Sequence, residues 1–257
     1  MINMVKRDTL QQFIAQTLSI NSFRDYCPNG LQVEGKSEIK NIIVGVTLNQ
    51  ALIEKAVEQQ ADAIIVHHGL FWKGESYPVT GIKKHRLSTL LKHDINLYGY
   101  HLPLDCHPQL GNNAQLALKL GFQNVDAYEV DGISNLLWMA ELEKPLSIAA
   151  LQAQMADVFQ QPSQYLGRAQ QAEVQKIAWC SGAAQKYITH AKELGADLYF
   201  SGEVSEQTLH LAVELDIHYL VCGHHATEGY GVQALGALIA NHFDGVNVSF
   251  IDIPNPI

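Results

Sequence analysis

The stretch ADAIIVHHGLFW, residues 61–72, decides how the rest of the chain reads. Its apolar run, residues 63–66, has the length and branching of a buried strand. The run hands two adjacent histidines, His67 and His68, to its C-terminal end, and Gly69 lets the chain turn at once. Open α/β sheets bind ligands outside the carboxyl ends of their strands. Two neighbouring imidazoles in that position can diverge towards two centres. A pair of surface histidines opening a loop is the competing reading, and the remainder of the chain must choose between them.

Outward from this stretch, strand and helix signals alternate. Residues 8–20 place Leu10, Phe13, Ile14 and Leu18 at helical spacing, with Asp8 as N-cap. Residues 39–46 are β-branched and predict a strand, and residues 49–60 predict a helix. A second helix is expected over 83–93, then a strand over 94–100 that ends at His101. HLPLDCHPQLGNN, residues 101–113, reads as loop, with a helix beginning over 114–120. Signals shorten over 121–145; an amphipathic helix follows from Ser147, and 164–174 reads as loop with edge structure. The rhythm resumes with KIAWCSG, 176–182, a helix over 184–194 and the strand ADLYFSGEV. This alternation predicts an α/β fold with mostly parallel sheets. A formal phosphate-loop match from Gly30 to Ser37 is rejected, because Pro28 bars a central strand before it and strand-forming residues follow.

Composition narrows the class. The chain has 257 residues, 47% hydrophobic and 17% charged, as in ordinary globular proteins. A net charge of −9 with no Lys/Arg cluster argues against a general nucleic-acid surface. No apolar run reaches the roughly 18 residues of a membrane helix, and the polar N-terminus is unlike a signal peptide. A cytoplasmic location is expected. Cys27, Cys106, Cys180 and Cys222 form no CxxC pair and read as small buried side chains. Twelve histidines, several at the ends of apolar runs, hint at metal chemistry.

The chain also carries an internal echo. IEKAVEQQAD, 53–62, lies without a gap on ITHAKELGAD, 188–197, matching Ile53, Ala56, Glu58, Ala61 and Asp62 to Ile188, Ala191, Glu193, Ala196 and Asp197. HLPLD, 101–105, lies on HHATE, 224–228, each behind a strand that starts with Asp-Ile. Two related α/β halves are expected: residues 1–125 with the HHG and HLPLD motifs, and 126–257 with GHHATE. The polar groups at strand ends are then His67, His68, His101, Asp105, His224, His225 and Glu228. Imidazoles and carboxylates suit zinc, iron, manganese, cobalt or nickel. The set exceeds what one ion needs, and two ions bridged by a carboxylate would use it. The other reading is histidines that cap strands and bond nearby carbonyls.

PNGLQVEG (28–35), IIVHHGLFWKGE (64–75), YGYHLPLDCHPQLGNNAQLA (98–117), SGEVSEQ (201–207), GHHATEGYG (223–231) and FIDIPNP (250–256) together resemble the Nif-three-like dinuclear-metal-centre family, the GTP cyclohydrolase 1 type 2 homologues. The resemblance covers nearly the whole chain and is weakest over 121–175. It implies two divalent metal ions per subunit, with His67 and His68 each serving one. Asp105 and His224 would be further ligands, and Glu228 the bridge. His101 is implied to lie close to the metals as a proton shuttle or outer partner, with His225 turned away. The resemblance also implies a toroidal homohexamer. The function expected is a dinuclear-metal hydrolase of an unidentified small substrate, the family name suggesting ring opening of a nucleotide. The alternative is a non-catalytic metal-handling protein that docks partners through its ring.

Overall fold

The structure is a computed structural model that describes residues 4–168 and 172–257. The chain forms two compact units. One comprises Met1–Leu104 with Gly231–Pro254, and the other Asp105–Tyr230 with Asn255–Ile257. The second unit thus starts earlier than the expected division at 125/126, and a late segment returns to the first.

The first unit is built on a five-stranded sheet in the order Asn247–Phe250, Asn41–Thr47, Ala63–His68, Asn96–Gly99, Gly30–Val33. The first four strands run parallel and the last is antiparallel. Alternate side chains enter two different cores. Ile42, Val44, Ile65 and Tyr98 pack with Leu10 and Ile14 of helix Arg7–Thr17 and with Val232, Leu235 and Ile239 of helix His224–His242. Ile43, Ile64, Val66 and Leu97 pack with Leu52, Ile53 and Ala56 of helix Gln50–Glu58 and with Leu90 of helix Gly81–Lys92. Burial on both faces is why the parallel strands read as unbroken apolar runs. Asn49 caps its helix by accepting the Leu52 N–H at 2.8 Å. The stretch with the phosphate-loop spacing becomes the edge strand Gly30–Val33 followed by the short strand Glu38–Ile39, and no helix follows Ser37.

The second unit corrects the expectation of a mostly parallel sheet. Its six strands run in the order Val125–Val130, Ile133–Ser147, Glu173–Trp179, Leu198–Ser201, His218–Val221, Gln164–Leu166. Only Glu173–Trp179, Leu198–Ser201 and His218–Val221 are mutually parallel; the remaining pairings are antiparallel. One antiparallel part comes from residues 125–147, a hairpin in which Val130 pairs with Ile133, and the other from the edge strand Gln164–Leu166. Asp131 and Gly132, at φ 54° and 76°, form the two-residue turn, and Asp-Gly tolerates that left-handed geometry. A core of Leu116, Leu151, Met155, Ile177, Trp179, Leu198 and Phe200 lies against this sheet. HLPLD also differs from the expected loop, since Leu102–Asp105 is a short helix.

The aspartates aligned in the sequence repeat do the same work in their own units. An Asp62 oxygen accepts the N–H groups of Lys40 and Asn41, both at 2.9 Å. An Asp197 oxygen accepts those of Gln175 and Lys176 at 2.9 and 2.8 Å. Each carboxylate ties the start of its strand to the start of the neighbouring one, which explains why the aligned pair is acidic.

Candidate metal centre

In the first unit, the strand Ala63–His68 and the second residue beyond strand Asn96–Gly99 bring three imidazoles together. One nitrogen from each of His67, His68 and His101 lies within 4.8 Å of the others. Ring centroids are 4.6 Å apart for His67 and His68, and 5.0 Å for His67 and His101. His67 is fully buried, and its Nδ1 lies 2.9 Å from the Tyr100 carbonyl oxygen. A carbonyl can only accept, so the His67 Nδ1–H is the donor in this bond. His68 Nδ1 meets the Thr47 hydroxyl at 2.9 Å. His101 Nδ1 faces Asp25 Oδ1 at 2.9 Å. Oxygen partners on the outer nitrogens are what orient ligand histidines in metal sites.

Asp25 is the residue that sequence reasoning missed here. Besides His101, it accepts the Leu102 N–H at 3.0 Å and the Asn29 amide at 2.9 Å. Burial would raise its pKa, but the His101 hydrogen bond and charge, with Asn29 and Leu102, bring it down to about 2. On the other side of His101, the Tyr26 hydroxyl lies 3.2 Å from Nε2. Trp72 packs edge-on to the same ring at 5.5 Å between centroids.

The second unit gathers the carboxylates. Asp105 ends the short helix, is 5% exposed, and accepts from Asn112 at 2.9 Å and Ser181 at 3.1 Å. His224 and Glu228 lie one turn apart on helix His224–His242, with His224 Nε2 2.9 Å from Glu228 Oε2. His224 Nδ1 lies 2.6 Å from Glu203 Oε1. Carboxylate oxygens of Asp105 and Glu228 are within 4.8 Å of each other, and both side chains are buried. Their charges add to the burial that pushes the Cys180 thiol pKa well up. Two buried carboxylates this close repel unless a cation or proton sits with them. The donors therefore fit a divalent metal.

Glycines make this geometry possible. Gly182, at φ +65°, sits where a Cβ would contact the Glu228 carboxylate and lie 3.2 Å from His224 Nε2. A Cβ on Gly202 would lie 2.6 Å from His224 Cα. Of the expected residues, His67, His68 and His101 thus form one group in their unit, and Asp105, His224 and Glu228 another in theirs. His225 contributes its backbone N–H to the Ile257 carbonyl at 2.9 Å.

His224 makes the metal-free form pH-sensitive. Burial would lower its pKa, but Glu228 and then Glu203, through hydrogen bonds and charge, raise it from 6.5 to about 9. A raised imidazolium pKa adds stability that is complete below the unfolded value and fades as pH climbs through the folded one. The melting midpoint of chelator-treated protein is expected to fall between about pH 6.5 and 9. Glu228→Gln should flatten that slope. A midpoint that stays level across this window in the unsubstituted protein would count against the assignment.

An α/β protein with paired imidazoles at a strand end and buried carboxylates in its second unit defines a candidate metal-binding protein. The model of the Duf34/NIF3 (NGG1p interacting factor 3) family matches residues 5–256, and the chain belongs to that family. It is 50% identical over 247 residues to the GTP cyclohydrolase 1 type 2 homolog of Yersinia pestis, covering 96% of this chain and 98% of that protein. Its fold is similar to that of the protein ybgI, described as of unknown function, with TM-score 0.92, 46% identity and coverage of 98% and 100%. TTHA1606 from Thermus thermophilus is similar at TM-score 0.87 and 31% identity, again over 98% and 100%. Among the described residues, no helix is long and apolar enough to cross a membrane.

Proposed function

We propose that the chain is a dinuclear-metal hydrolase of a small substrate. In this reading His67, His68, Asp105, His224 and Glu228 hold two divalent ions, with Glu228 as the bridge. The observation that carries it is the mutual approach of three imidazoles whose outer nitrogens are already engaged by oxygen partners. The close buried carboxylates Asp105 and Glu228 support it from the second unit. The chain also passes directly from one set to the other, because Leu102–Asp105 follows His101 without interruption. Bound there, such ions would supply an activated water and a Lewis acid for a carbonyl or phosphoryl oxygen.

The protein's own part is to hold and move protons. His101, with Nδ1 against Asp25, offers Nε2 as a proton relay next to the Tyr26 hydroxyl. Tyr26 and Trp72 pack against the His101 ring, with centroids at 4.8 and 5.5 Å, and hold its orientation. The name shared by the relatives suggests ring opening of a nucleotide as the reaction to try first. The two units would be related halves, and six copies would close into a ring, which sedimentation tests directly.

The functional test combines elemental analysis with turnover. Purified protein should carry two divalent ions per chain, as a two-metal site requires. Nucleotides, cyclic amides and phosphoesters should be screened, with His68→Ala and Glu228→Ala each removing metal and turnover together. Full metal occupancy with no turnover on any of these would leave metal handling as the function. Protein without stoichiometric metal would refute both readings.

A further inference from the structure

Cys106, Cys180 and Cys222 are buried, as expected of all four cysteines, but Cys27 is only half-buried. It stands in the first unit, in the turn-rich stretch that also carries Asp25. One ligand atom from each of Asp25, Cys27 and His101 lies within 4.8 Å of the others. A carboxylate, a thiol and an imidazole are the three donor types that zinc-like ions take from proteins. His101 Nδ1 is 2.9 and 3.2 Å from the two Asp25 oxygens. Nitrogen and oxygen ligands at about 2.0–2.1 Å from a tetrahedral ion sit roughly 3.3–3.4 Å apart, with sulfur slightly further out. The nitrogen–oxygen spacing therefore has to open by no more than a few tenths of an ångström.

We propose that Asp25, Cys27 and His101 form an additional, thiolate-containing site for a zinc-like divalent ion. Binding sends the Cys27 thiol proton to solvent. The imidazole proton that Asp25 now accepts leaves Nδ1 and settles on Nε2, where the Tyr26 hydroxyl lies 3.2 Å away to accept it. Three protein ligands leave a fourth position for water. The sulfur sets this site apart, since His67, His68, Asp105, His224 and Glu228 offer only nitrogen and oxygen, and softer ions favour thiolate. A filled site takes the Nε2 lone pair of His101 away from proton transfer, so occupancy should suppress turnover. That consequence rests on the hydrolase reading; the site itself does not.

The probe is Co2+, which gives an intense near-ultraviolet charge-transfer band when a thiolate is among its ligands. Titrating the full chain with Co2+ should raise that band to a plateau, and Zn2+ should bleach it. Cys27→Ser should abolish the band. Cys180→Ser, the control at the cysteine that feels the Asp105 and Glu228 charges, should keep it. In the unsubstituted protein, saturating Zn2+ should slow iodoacetamide alkylation of Cys27 by roughly tenfold or more, because a metal-held thiolate is withdrawn from attack. No band, a band that survives in folded Cys27→Ser protein, or alkylation indifferent to zinc would each overturn the proposal. Glu228→Ala should keep the band while losing the ions of the two-metal centre, so the two assignments can fail separately.

Discussion

Gly182→Ala is expected to weaken metal binding by at least roughly 10- to 100-fold, the range seen when partners around metal ligands are disturbed. The new methyl group would occupy the place of the Glu228 carboxylate and crowd His224 Nε2. The backbone cannot step aside, because the Gly182 N–H donates to Thr227 Oγ1 at 3.0 Å and its carbonyl accepts the Gly202 N–H at 2.9 Å. Alanine at φ +65° also pays about 1 kcal/mol for left-handed backbone. Gly195→Ala is the control: φ is +85° and the space around it is open, so only the backbone cost applies. Competition titration with a chelating dye reads the difference. Equal affinities for the two variants would show that the Glu228–His224 pair does not depend on the space Gly182 leaves.

The second large effect is expected at Asp25. Asp25→Ala should destabilise the protein by about 3–5 kcal/mol, the cost of removing one member of a buried pair and stranding the other. The Asp25 side chain is 3% exposed and that of His101 6%. The deletion abandons the His101 imidazole, the Leu102 N–H and the Asn29 amide together. Asp25→Asn should cost less, since an amide oxygen can still accept from His101. Denaturant unfolding of the three proteins at neutral pH measures the ranking. The carboxylate also sets an acid limit: with its pKa depressed to about 2, its contribution is complete above the ordinary value near 3.8 and fades as pH falls towards 2. Asp25→Asn should lose that part of the acid dependence. A loss below about 1 kcal/mol for Asp25→Ala would mean that His101 is held by something else.

Some elements could be read from single residues because their signals are local. The apolar run 63–66 and the helical spacing of Leu10, Phe13, Ile14 and Leu18 depend only on neighbours within a few positions, and they lie in strand Ala63–His68 and at helix Arg7–Thr17. The hairpin over 125–147 was equally local, signalled by Asp131-Gly132, but the weak periodicity around it hid the turn. HLPLD carries loop signals in Pro103 and the flanking turn residues, and these mask a single turn of helix over Leu102–Asp105. Asp25 had no such signal. It lies in a turn-rich stretch, and only the pairing of strand Gly30–Val33 with Asn96–Gly99 carries that stretch to His101.

By itself, the order of residues determined the α/β class, the strand that delivers His67 and His68, and the donor types within each motif. These follow from periodicity and from the chemistry of individual side chains, both of which survive in one dimension. Tertiary structure alone decided that the second sheet is mixed and that Asp25, Thr47 and the Tyr100 carbonyl hold the outer nitrogens of the histidines. It also decided that Gly182 leaves room for the Glu228 carboxylate. Those facts depend on contacts between segments distant in sequence, where strand pairing and packing, rather than local preference, select the partner.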